Sequence, residues 1–186
     1  MKLIKIYIVL SIEILTIFTI NAQSLYSAGQ TIVGNGFTYK CDNDYGVLVL
    51  HNATDIWTSL SGGMKMKDGS PFTFELRENP KGFIQSFESF TDMINTIKSQ
   101  FTAAQVSMVT GARPLTVSMY INSDTGVIQG VSFDFLDSEP WAKIPIDTYR
   151  AIEVALKSKF TFQITDQGKK YNYNLCWTGI IFPKPK

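Results

Sequence analysis

One histidine, His51, and two cysteines, Cys41 and Cys176, are the only side chains in this 186-residue chain suited to near-neutral base or thiol chemistry. Any Ser-His-Asp or Cys-His site would have to use His51. Cys41 lies ten residues before it and Asp55 four after, so Cys41, His51 and Asp55 form the one cluster whose spacing allows covalent chemistry. Reactive cysteines sit at helix N-termini or beside positive charge. Cys41 instead falls within an alternating strand pattern, which predicts a structural role. One histidine and two distant cysteines cannot build a zinc site of the usual kind. Asp42-Asn43-Asp44 gathers oxygens that suit calcium, but Gly46 is out of step with a calcium loop and no closing Glu follows. That stretch is expected to be a solvated hairpin turn. Asp134, Asp137 and Glu139 form a second acidic group. Paired carboxylates serve glycoside hydrolysis only at a defined separation, which the sequence does not set. Gly34-Asn35-Gly36 reads as a turn and no Gly-rich phosphate loop occurs. Asn52-Ala53-Thr54 matches a glycosylation sequon, a motif too short to indicate function. No catalytic residue, cofactor or metal site is therefore expected.

Binding is the remaining chemistry. The chain carries 13 Phe, 8 Tyr and 3 Trp. In a strand-rich protein most of these serve the core and cross-strand pairs. Trp57, Trp141 and Trp177 are the candidates for a stacking surface. Cys41 and Cys176 could join as a disulfide closing about 135 residues, worth about 4–5 kcal/mol on a chain-entropy basis. The alternative is two buried thiols on different strands.

The N-terminus indicates where such binding would occur. Lys2 and Lys5 precede an apolar run, Ile6 to Ile20, and Asn21-Ala22-Gln23 offers a small-residue cleavage point. This is the layout of a signal peptide over residues 1–22. An uncleaved inner-membrane anchor is the alternative, but the run is short and Glu13 near its centre would cost about 2.5–3.5 kcal/mol in a bilayer. Export to the periplasm or beyond follows, with no transmembrane segment in the mature chain. Removing residues 1–22 takes two of 17 basic and one of 16 acidic residues and leaves a neutral chain. Neutrality argues against nucleic-acid partners, whose binding needs a positive face.

The remaining span, 23–186, fits one domain. Residues 23–35 read as a polar lead-in. Phe37 to Asp42 and Val47 to Asn52 make a hairpin over Asn43-Asp44-Tyr45-Gly46, within an N-terminal region 36–78. Lys65-Met66-Lys67 and Phe72 to Leu76 are expected strands around Asp68-Gly69-Ser70-Pro71. Phe90, Met93, Ile94, Ile97 and Phe101 form one helical stripe, with Ser89 as its cap. Leu115 to Ile121 and Val127 to Leu136 alternate around the turn Asn122–Gly126. Asp147 is expected to cap a second helix carrying Tyr149, Ile152, Ala155 and Leu156. Phe160 to Ile164 and Tyr171 to Phe182 close the pattern.

The order over 86–182 is helix, hairpin, helix, hairpin. Val117 to Val131 resembles the hairpin of the TonB-type C-terminal domain, and Gly168-Lys169 and Gly179 to Phe182 resemble its ending. The Trp-x-Pro of that family is replaced by Phe160-Thr161-Phe162, and its Pro-rich linker is missing. The stretches Tyr120–Gly126 and Gly168–Tyr173 also resemble small exported proteins of unknown function from Gram-negative gut anaerobes. The expected fold is α+β: an antiparallel sheet with two helices on one face. The expected function is non-enzymatic binding of a cell-envelope protein or peptide, since the TonB-type resemblance implies an open sheet edge. A sugar-binding or carbohydrate-active protein is the alternative, and an inhibitor or immunity protein a third.

Overall fold

The computed structural model of the chain describes residues 24–55, 63–70, 83–84 and 87–185. Along the chain come β1 (Gln30–Val33), β2 (Thr38–Asp44), β3 (Val47–Asn52), β4 (Phe83–Ile84), α1 (Phe87–Lys98), α2 (Ala103–Val109), β5 (Leu115–Ile121), β6 (Ile128–Leu136), α3 (Ile146–Lys159), β7 (Gln163–Ile164) and β8 (Asn174–Ile180). Six of the strands form an antiparallel sheet in the order β1-β2-β3-β6-β5-β8, and β4 pairs with β7 apart from it.

Strand period two decides the layers. Leu115, Val117, Met119 and Ile121 on β5 and Val131, Phe133 and Phe135 on β6 point to one face and are buried. α3 packs against β6, α1 against β8, and the two helices against each other. Their stripes, Met93 and Ile97 on one and Tyr149, Ile152 and Leu156 on the other, complete the core. This is the expected α+β arrangement, with the short α2 as a third helix.

Turn chemistry sets the registers. Tyr45 and Gly46 both have positive φ, 50° and 88°, which a two-residue hairpin turn requires. Asn43 Oδ1 accepts from the Gly46 N–H at 3.1 Å. In the β5–β6 turn Asn122 Oδ1 accepts from the N–H groups of Asp124 and Thr125. Gly126 follows at φ 72°, and a Cβ there would lie 1.8 Å from the Phe162 carbonyl oxygen.

Several expectations need correction. No disulfide joins Cys41 and Cys176; both are buried thiols. Cys41 is on β2 and Cys176 on β8, with β3, β6 and β5 between them. Four strand spacings separate them by about 19 Å, whereas a disulfide needs Cα atoms within about 7 Å. The residue before α3 is Pro145, and Asp147 lies inside the first turn, where its charge still meets the helix dipole. α1 begins at Phe87, ahead of Ser89. The strand expected at Phe160 to Ile164 shrinks to β7, and the closing strand to Asn174–Ile180. Lys65-Met66-Lys67 makes only an isolated bridge, Met66 with Tyr171. β1 arises within the polar lead-in, and α2 was not expected. The signal segment, Trp57 and the strand Phe72 to Leu76 fall outside the described residues. Among the described residues no helix is long and apolar enough to cross a membrane.

Candidate functional site

β8 is a terminal strand of the sheet: β5 lies on one side, and no described strand lies on the other. Folded proteins protect such edges by keeping them short, charged, bulged or broken by proline. β1, at the opposite edge, is four residues long. β8 runs for seven, Asn-Leu-Cys-Trp-Thr-Gly-Ile, without a charge or a proline. Its buried positions alternate, Asn174, Cys176, Thr178 and Ile180, and face the helices. Its other positions place Leu175 and Trp177 on the opposite face, with Ile181 just beyond. They are 37%, 65% and 46% exposed. Trp177 stands across from Ser118 of β5. A Trp on an uncharged edge offers apolar contact beside backbone donors and acceptors that suit an extended segment.

The other candidate tryptophans differ. Trp141 is fully buried, donates from Nε1 to the Arg113 carbonyl at 2.7 Å and packs against Phe101 and Phe182. Trp57 lies outside the described residues.

Cys41, His51 and Asp55 do not converge. Cys41 pairs with Leu50 and faces the helices, whereas His51 pairs with Lys40 and faces away. Burial first, then Asp42 and Asp137, push the Cys41 thiol up to about 11, away from a nucleophile. His51 Nε2 lies 2.9 Å from Asp42 Oδ2 and Nδ1 3.2 Å from the Asn52 carbonyl, so both ring nitrogens are engaged. Asp55 belongs to a buried polar network on α3. Lys157 Nζ donates to Asp55 Oδ1 at 2.9 Å and to Glu153 Oε1 at 2.7 Å. Arg150 donates to Glu153 Oε2 at 2.8 Å, and the Tyr39 hydroxyl donates to the same oxygen. Burial alone would raise the Glu153 carboxyl. The bonds from Lys157, Tyr39 and Arg150 outweigh it and hold Glu153 below its ordinary range. With carboxylates and cations balanced and bonded to each other, this network anchors α3 to β2 and β3.

The acidic group after β6 also disperses. Asp134 lies on the face of β6 opposite the one that the described helices cover, where burial and then Asp44 push it up to about 6 against a bond from Ser132. Asp137 lines a cleft with Ser24, Tyr26 and Gln30. Glu139 ion-pairs with Arg113 at 3.7 Å. Among the described residues no three His, Cys, Asp or Glu side chains gather as a metal site.

Sequence reasoning missed Leu175 and Ile181. Their signal was an apolar residue two before and four after Trp177, in phase with it and out of phase with the core positions. It also missed the α3 network. Its signal was Glu153 at i+4 on the apolar stripe that starts at Tyr149.

The geometry defines an α+β domain with one unprotected edge strand and no assembled catalytic set among its described residues. The chain belongs to the family described as a domain of unknown function, DUF5043, which matches residues 23–177. A crystal structure of a DUF5043 family protein from Bacteroides uniformis ATCC 8492 superposes with a TM-score of 0.76 at 26% identity, covering 89% of this chain and 92% of that one. No curated protein matches.

Proposed function

We propose that this DUF5043 protein is exported and acts without catalysis, binding an extended segment of a cell-envelope protein by adding it as a seventh strand beside β8. The observation that carries this is the seven-residue uncharged edge with Trp177 65% exposed at its centre. Strand addition supplies affinity through main-chain hydrogen bonds and selectivity through alternate side chains. Leu175, Trp177 and Ile181 supply the side-chain surface. The TonB-type resemblance of the second half favours the same edge. Export is supported by the N-terminal pattern, and the family match begins at residue 23, directly after the expected cleavage point.

The test for binding is a displayed library of random peptides of about twelve residues panned against the purified protein, with Trp177→Lys as control. Enriched peptides with alternating apolar residues, lost on Trp177→Lys, are expected. A library that yields no binder at micromolar concentration overturns the proposal. The test for export is N-terminal sequencing of the protein recovered from its host. Gln23 as first residue is expected; an intact N-terminus in the membrane fraction overturns cleavage.

A further inference from the structure

Just before β8 the chain forms a minimal ribbon with residues 65–67, a single antiparallel bridge that follows the 3-10 turn Gly168–Lys170. Met66 bridges Tyr171, the Lys67 N–H donates to the Lys170 carbonyl at 2.8 Å, and the Asn172 N–H donates to the Lys65 carbonyl at 3.0 Å. This register sets Lys67 directly across from Lys170, with Lys65 two residues along the same strand. Like charges placed opposite each other in a ribbon are unfavourable. Lys65, Lys67, Lys169 and Lys170 are all exposed. Lys67 reaches Asp124 at 2.6 Å, and Lys169 reaches Asp166 at 3.2 Å, a pairing of two exposed side chains that water screens. Lys65 and Lys170 take part in no described ion pair. Against these four lysines stand Asp68, Asp124 and Asp166, which leaves Lys65 and Lys170, without a described ion pair, as the excess of cation at one end of the open edge.

We propose that this ribbon holds an acidic flank on the peptide that pairs with β8. The inference rests on the strand-addition reading above and specifies its partner: an uncharged, alternating core followed by acidic residues where the peptide runs past Asn174 toward Tyr171. Continuity selects a peptide over other polyanions, because the chain passes from the ribbon at Tyr171 through a bend at Asn172 into β8 at Asn174. Opposite charge at the rim of an interface acts mainly on selectivity and association rate, and salt weakens it.

Three synthetic peptides test this. They share a Thr-Val-Thr-Val-Thr-Val-Thr core and carry Glu-Asp-Glu, Ser-Gly-Ser or Lys-Arg-Lys tails at either end. Affinity is read by titration against the purified protein at about 0.05 M and about 0.5 M salt. The peptide with acidic tails is expected to bind about tenfold tighter than the neutral one at low salt, an advantage that high salt erases. The double variant Lys65→Glu, Lys170→Glu should remove that advantage and leave the neutral peptide within about twofold. Three peptides binding equally would overturn the acidic flank and leave strand addition standing. If no peptide binds, strand addition itself fails. Acidic-tail binding that survives Trp177→Lys unchanged would also overturn the inference, because the ribbon would then act apart from the edge.

Discussion

Glu153 occupies the place of an apolar residue in the stripe of α3, fully buried, and this is tolerable only because four side chains, Lys157, Arg150, Tyr39 and Asn52, donate to it. Truncating one partner of such a group leaves the others buried and unsatisfied, at a cost of about 3–5 kcal/mol. Glu153→Ala should therefore lower the unfolding free energy by about 3 kcal/mol in urea titrations, because Arg150, Tyr39 and Asn52 lose this acceptor together and Lys157 keeps only Asp55. A loss below about 1 kcal/mol would mean that the network contributes little. Asp134 predicts a pH dependence of opposite origin. Its carboxyl is raised from 3.8 to about 6, chiefly by burial. A raised acid favours the fold while protonated; that contribution is complete below the unfolded value and is lost as pH rises through about 6. Asp134→Asn cannot ionise, so it should gain on the order of 2 kcal/mol over the parent at pH 8 and nothing at pH 3.5. Thermal melts across that range read it, and an equal difference at both pH values would contradict it.

At the scale of elements, the turns bear most of the constraint. Gly126 combines φ 72° with a Phe162 carbonyl where a Cβ would stand, and Phe162 N–H donates back to the Gly126 carbonyl at 2.8 Å. Gly126→Ala should cost about 2 kcal/mol or more, measured by urea unfolding, through both strain and displacement of Phe162. A neutral variant would show that the 160–164 segment moves freely. The same elements show why some of the fold was legible. β5, β6 and both long helices announced themselves because a buried face writes a period of 2 or 3.6 into the sequence, and β3 because it is buried on both faces and reads as a continuous apolar run, Val47 to Leu50. β1 was hidden because Gln30 to Val33 has only partly buried positions and takes its order from β2. α2 was hidden by its length, although Thr102 and Gln105 form a complete capping box and were readable as one. Phe160 to Ile164 looked like a strand because Phe160 and Phe162 alternate, yet only Gln163 and Ile164 pair as one, with β4, and Thr161 makes a single bridge to Val127. The disulfide could not be judged from sequence, because strand order alone places Cys41 and Cys176 at distant positions in the sheet.

At the scale of the whole molecule, the described elements give a sheet with one face covered by helices, one short edge, and one long edge that no described strand covers. Of the candidate site, the sequence disclosed Trp177 but not that it sits on an edge, since edge position is a property of pairing and not of local pattern. A crystal structure of a DUF5043 protein from Bacteroides uniformis carries the fold over nearly the same length. Trp177→Lys places a charge on an exposed position, so the stability of the free protein should shift by less than about 0.5 kcal/mol while peptide binding is lost. The most direct measurement is amide hydrogen exchange of the protein with and without the acidic-tailed peptide. If the peptide adds as a strand at the open edge, alternate amides between Asn174 and Ile180 become protected, and Trp177→Lys removes that protection. A peptide that binds while the β8 amides exchange at unchanged rates would contradict docking at this edge.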